Sequence, residues 1–181
     1  MDAYKILLLA MMLNVSLICN AQNRGIGATN YRVEKCTIGQ QAPEVYATNE
    51  DDIEFTLSSL QGKMVLVQFW TSECRPCQAD NQILSKIYDN YKDKNYIYGV
   101  GFEIYSISLD LDSKKWRDAI INQKISSWIH VCEHTGVNSA AAKKFNVSAI
   151  PANFLIDGHG KIIAKAFRAS ELPDMLTNYL E

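Results

Sequence analysis

An apolar, β-rich run at Met64-Val65-Leu66-Val67-Gln68-Phe69-Trp70 is too short for a helix, and shortly beyond it stands Cys74-Arg75-Pro76-Cys77. Past the second cysteine, Ile83, Leu84, Ile87, Tyr88 and Tyr91 recur at helical spacing. No other feature constrains the chain as much. It demands a central strand covered on both faces, a cysteine pair, and a helix that starts near Cys74 or Arg75. Pro76 fits the first helical turn, where its missing N–H has no bond to lose.

Two cysteines at this spacing place the first sulfur at the positive end of the helix macrodipole, where unpaired backbone N–H groups favour a thiolate. The second lies one turn in, within reach of a mixed disulfide formed by the first. Two-step thiol–disulfide exchange needs that arrangement. Cys74 is therefore expected to be the exposed nucleophile and Cys77 the buried resolving thiol, the two forming a redox-active disulfide. Arg75 favours a thiolate at Cys74 and Glu73 opposes it. Asp80 follows Cys77 on the same helix face. It reads either as a general base for the resolving thiol or as an exposed acid stabilised by the dipole, and both readings stay open.

Elsewhere, strands are predicted at 53–57, 101–109, 127–131, 152–156 and 161–164, and helices at 113–124, 139–145 and about 170–180. Asp157-Gly158-His159-Gly160 is a hairpin turn signal between the last two strands. Strands alternating with helices indicate an α/β fold, and the hairpin adds antiparallel edge strands. Pro151 directly precedes a strand, a position where proline spares the ladder, and Ile150-Pro151 is a candidate cis bond.

The 181 residues are 48% hydrophobic with a net charge of −2, enough for one core and without the basic excess that would suit nucleic acid. The N-terminus departs from this pattern. An apolar run at 6–13 leads to Cys19-Asn20-Ala21, small residues that suit a cleavage site, so residues 1–21 read as a secretory signal cut before Gln22. A retained membrane anchor is the alternative, although the run falls short of the ~20 apolar residues that span a bilayer. Residues 22–37 read as a flexible tether and 38–181 as the folded domain. Cleavage leaves Cys36, Cys74, Cys77 and Cys132, one close pair and two scattered thiols, which suits a working pair better than a disulfide framework. Cys36 and Cys132 can be free or paired with each other.

These features together resemble the thioredoxin fold and, more narrowly, the TlpA/ResA-type family of exported bacterial thioredoxin-like proteins. The resemblance is carried by Ile38-Gly39-Gln40-Gln41-Ala42-Pro43, Leu60-Gln61-Gly62-Lys63, Phe69-Trp70-Thr71-Ser72-Glu73-Cys74-Arg75-Pro76-Cys77, Gly101-Phe102-Glu103-Ile104 and the stretch from Val147 through Ile150-Pro151 to Asp157. It implies a central mixed sheet flanked by helices, with an N-terminal extension and an inserted segment before the third main strand. It also implies a cis-proline loop at Ile150-Pro151 facing the sulfurs, where partner backbone docks. Trp70, Arg75, Pro76, Ile150 and Pro151 are the candidate docking residues. The expected partners are protein dithiols and disulfides, apocytochrome c among them, with a membrane thiol carrier as electron donor. The expected setting is the periplasm, and the expected state a monomer. A dithiol/disulfide couple passes two electrons with no metal or organic cofactor.

Two positions depart from the family pattern. Glu73 stands where an aromatic residue is usual, and Gln68 stands where thioredoxins hold a buried aspartate. An amide cannot act as a base, which leaves Asp80, at the family's acidic helix position, as the candidate. Two rival functions are compatible with parts of the sequence. A peroxiredoxin needs Pro-x-x-x-Thr-x-x-Cys, and here Thr71 is present but Val67 replaces the proline. A structural zinc site could use Cys74 and Cys77 with donors from His130-Val131-Cys132-Glu133-His134, provided four of them converge.

Overall fold

The computed structural model describes residues 36–181. The expected signal at 1–21 and most of the expected tether lie outside the described residues. The apolar run becomes β3 (Met64–Trp70), following the short strands β1 (Tyr46–Thr48) and β2 (Glu54–Thr56). Helix α1 (Arg75–Tyr91) leads through a small hairpin, β4 (Asn95–Tyr96) and β5 (Gly99–Val100), into β6 (Phe102–Ser108). Then come α2 (Ser113–Gln123), β7 (Ile129–Cys132), α3 (Ala140–Lys144), β8 (Ala152–Ile156), β9 (Ile162–Lys165) and α4 (Leu172–Thr177).

One seven-stranded sheet runs in the order β2-β1-β7-β6-β3-β8-β9. β3, β6 and β7 are parallel, whereas β8 runs antiparallel to both β3 and β9. The sheet is mixed, as expected, and α2, β7 and α3 occupy the stretch between β6 and β8 where an insertion was anticipated. Every residue of β3 and β6 is buried, which is why their sequences lack a polar face. Met64, Leu66 and Trp70 join Phe102, Ile104 and Leu155 under α1, α2 and α4. Val65, Val67 and Phe69 face the opposite way, toward Tyr105, Ile107, Phe154 and α3.

The chain ahead of β1 covers the outer edge of the sheet. Gly39 N–H donates to the Ile162 carbonyl at 2.7 Å, Ile162 N–H to Gln40 at 2.9 Å, and Ala42 N–H to Gly160 at 2.9 Å. These bonds occupy the backbone at the start of β9, where the edge is no longer open to another chain. The packed region begins earlier than the sequence suggests, since Cys36, read as part of the tether, is already buried.

The two glycines of the β8–β9 turn serve different needs. Gly160 adopts φ +80°, which a side chain resists, whereas Gly158 is required by proximity, because a Cβ there would lie 1.8 Å from the Tyr98 carbonyl oxygen. Strands β1, β4 and β5 escape sequence reading because two or three residues carry no measurable period. β7 starts at Ile129, two residues later than predicted, and Trp128 precedes it. The last helix is shorter than predicted: residues 169–171 form a 3-10 turn and α4 ends at Thr177.

Candidate active site

β3 delivers its C-terminal end to a loop that Asp110 clamps. The Asp110 carboxylate accepts from Ser72 N–H at 2.8 Å and from the Ser72 hydroxyl at 2.6 Å. The Ser108 hydroxyl, at the end of β6, donates to the same carboxylate at 2.6 Å. The residues just before the cysteines are thereby tied to the ends of the two central parallel strands. Cys74 then caps α1 in extended conformation, and its Sγ accepts from the Cys77 N–H at 3.2 Å. Cys74 and Cys77 form a disulfide, with Cα atoms 5.2 Å apart. Cys77 is fully buried and Cys74 only partly so, while Arg75 and Pro76 are exposed between them. The Glu73 carboxylate is met by Lys115 of α2 at 2.5 Å, so its charge is answered locally. Among the described residues Arg75 has no such partner.

Behind the cysteines, a polar row crosses the sheet. Gln68 on β3 stands in register with Ser106 on β6 and Asn153 on β8. All three are essentially inaccessible. The Ser106 hydroxyl donates to Gln68 Oε1 at 3.1 Å, Gln68 Nε2 to Asn81 Oδ1 at 2.9 Å, and Asn81 Nδ2 to Gln123 Oε1 at 2.9 Å. The row is neutral, because Gln68 replaces the aspartate with an amide that is satisfied at both ends. Asp80, beside Asn81 on α1, is an ionisable side chain close to Asn153 of this row. Burial pushes its carboxyl above the usual carboxylate range, and the neighbouring Asn153 amide pulls it part of the way back.

A groove of about 590 Å³ opens beside the helix start, lined by Pro76, Asp80, Val147, Pro151, Asn153 and Phe167 among others. The Ile150–Pro151 peptide is cis, the form the resemblance implies. Ile150 is half-buried and packs against the cores on both sides of the sheet. Trp70, expected among the docking residues, is fully buried: its position on β3 points it into the core, 6.0 Å from the His130 ring. It supports the site from below and offers a partner no surface.

The groove also holds what the sequence did not reveal. Cys36 lines it; burial pushes the thiol up, and its carbonyl accepts from Lys165 Nζ at 2.7 Å. Cys36 and Cys132 are both free and buried, so neither pairs with the other. Cys132 ends β7, where its thiol donates to the Asp110 carbonyl at 3.4 Å. Ser72, Asp110, Asn81 and Asn153 carried no local signal of their roles, because the bonds that join Ser72 to Asp110, Asn81 to Gln123 and Asn153 to Phe167 link residues far apart in the chain. Among the described residues no three His, Cys, Asp or Glu side chains gather as a metal site requires, so the zinc reading lacks its donors. The position where a peroxidase needs its proline is filled by Val67, a buried residue of β3.

Similarity to known proteins places the chain in a family. The pattern described as Thioredoxin-like matches residues 62–162. The chain is 25% identical over 179 residues to the thiol-disulfide oxidoreductase ResA of Bacillus cereus, an alignment covering 96% of this chain and 95% of that protein. A solved thiol-disulfide oxidoreductase from Bacteroides fragilis is 30% identical with a TM-score of 0.69, covering 77% of this chain and 98% of its own. The thioredoxin domain of a Bacteroides vulgatus thiol-disulfide oxidoreductase is 29% identical with a TM-score of 0.71, covering 80% and 99%. The family pattern matches more than half of the chain and the solved relatives share its fold over nearly the whole described stretch, and this protein belongs to the thioredoxin-like family as a TlpA/ResA-type thiol–disulfide oxidoreductase.

Proposed function

We propose that the protein is an exported reductant of protein disulfides, working in the periplasm after loss of residues 1–21. The carrying observation is that the Cys77 N–H points at the Sγ of Cys74, the one cysteine of the pair with solvent access. That N–H and the start of α1 stabilise negative charge on Cys74 once the disulfide is reduced. The Cys74 thiolate attacks a partner disulfide: one partner sulfur bonds to Cys74 and the other leaves as a thiolate. Cys77 then gives its proton to Asp80 and attacks Cys74 Sγ. The Cys74–Cys77 bond forms, the mixed disulfide breaks, and two electrons have passed to the partner.

The groove beside Pro76 and Pro151 receives the partner's backbone in this reading, with Arg75 and Ile150 at its margin. A segment of apocytochrome c carrying an oxidised cysteine pair is the kind of substrate it would accept. A membrane thiol carrier would restore the dithiol, with the protein acting as a monomer and needing no cofactor.

The decisive experiment is the redox potential of the protein beginning at Gln22. It is equilibrated in graded dithiothreitol or glutathione buffers, and alkylation of Cys74 and Cys77 is read by mass spectrometry. The expected result is a single two-electron transition near or below about −220 mV. A value well above that would assign an oxidant or isomerase, and a pair that never closes reversibly would remove the function altogether.

A further inference from the structure

Asn153 stands two residues past Pro151, directly opposite Gln68 in the sheet, and is 1% exposed. Its Nδ2 donates to the Phe167 carbonyl at 3.0 Å. Its Oδ1 is buried and has no donor. Asp80, one helical turn beyond Cys77, lines the same groove, and the Asn153 amide pulls its carboxyl down against the rise that burial causes. A buried acceptor left without a donor is costly, and the carboxyl beside it is the group that could become one.

We propose that Asn153 is the positioning residue for Asp80, holding the carboxyl beside Cys77 in both of its protonation states. A carboxamide presents a donor and an acceptor on one rigid plane. When Asp80 is charged, the second Nδ2 hydrogen, not used by Phe167, holds the carboxylate. When Asp80 has taken the Cys77 proton, its new O–H finds the waiting Oδ1. The electron pair of the Cys77 sulfur meanwhile forms the bond to Cys74, and the partner sulfur departs as a thiolate. The proton therefore rests on a group whose orientation does not change as it arrives, and it leaves through the groove.

This rests on Asp80 being the base of the proposed function. The charged groups nearby do not take over Asn153's task. Lys165 and Arg168 line the groove from β9 and the chain beyond it, but Lys165 gives its ammonium to the Cys36 carbonyl. Neither forms an ion pair with Asp80, nor does Arg75 on its own helix. Glu73 is occupied by Lys115. Among the described residues that line the groove, Cys36 is the remaining titratable side chain, and Cys77 supplies a thiol one helical turn before Asp80 once the disulfide is reduced.

The test follows resolution of a mixed disulfide with thionitrobenzoate on Cys74. Reduced protein is mixed with the aromatic disulfide, and the second, first-order release of thionitrobenzoate reports attack by Cys77; it must vanish in Cys77→Ala. Its rate is measured from pH 5 to 9 in the wild type, Asn153→Leu, Asn153→Thr, Asp80→Asn and the double variant. Asn153→Leu should move the Asp80-dependent limb up by about one pH unit, making release about tenfold slower below it. Asn153→Thr, which keeps a donor and an acceptor, should restore most of the loss. In the Asp80→Asn background Asn153→Leu should change nothing more. If Asn153→Leu does not fold, Asn153→Ala takes its place. A limb that survives Asp80→Asn overturns the base reading, and this inference with it. A limb that Asp80→Asn removes but Asn153→Leu leaves in place overturns this inference alone, as does an additive loss in the double variant.

Discussion

His130 shows how a single side chain is governed by its surroundings. Its ring is buried between Trp70 and Trp128, and its Nε2 meets the Ile125 carbonyl at 2.7 Å. With that nitrogen donating, the other carries a lone pair, and burial holds the ring neutral by lowering its pKa from 6.5 to about 4. The folded protein thus holds fewer protons on His130 than the unfolded chain does between those values. Its contribution is complete above about pH 6.5 and is lost as pH falls toward 4, for a total of about 3 kcal/mol. Urea unfolding at pH 7 and pH 4.5 should show that decline in the wild type. In His130→Gln it should be much flatter, and equal declines in both would disprove the assignment. No sequence pattern points to this behaviour, because a histidine in an apolar stretch looks the same whether its ring is buried or exposed.

At the scale of elements, local signals decided where α1 begins. Pro76 in its first turn, Cys74 as cap and the repeat through Tyr91 are read from adjacent residues, and they place the start of the helix within one position. The end of α2 was less legible, since Lys124 closes it in the left-handed conformation usually left to glycine. The β4–β5 hairpin was not legible at all. It is held where it is by contact, its tip resting on the β8–β9 turn at Gly158, whose carbonyl accepts from Gly62 N–H at 2.9 Å. Gly158→Ala should therefore push the two turns apart at a cost on the order of 1–3 kcal/mol. Thermal unfolding measures the loss, and an unchanged midpoint would mean the hairpin yields freely.

For the molecule as a whole, the composition already called for one core, and the sheet divides it into two, with Ile150 packed against both. That division lets the cysteines sit at one end of the parallel strands while the cis-proline loop approaches from β8. The export reading also belongs to this scale. Protein recovered from a periplasmic fraction should begin at Gln22 by intact-mass measurement. A chain that keeps Met1 and remains with the membrane would favour the retained anchor.

The sequence alone determined the order strand, cysteine pair, helix, and with it the identity of the redox couple, because periodicity, capping and a first-turn proline act between neighbours. It also marked Ile150-Pro151 and the turn that follows β8. Tertiary structure decided what surrounds the couple. Ser72 meets Asp110 across 38 positions, Gln68 spans another 38 to Ser106, and Asn153 on β8 lines one groove with Asp80 of α1. Such pairings depend on sheet register and on which polar groups lose water together. The same register buried Trp70, which the sequence left beside the partner, and that placement is settled only when the strands align.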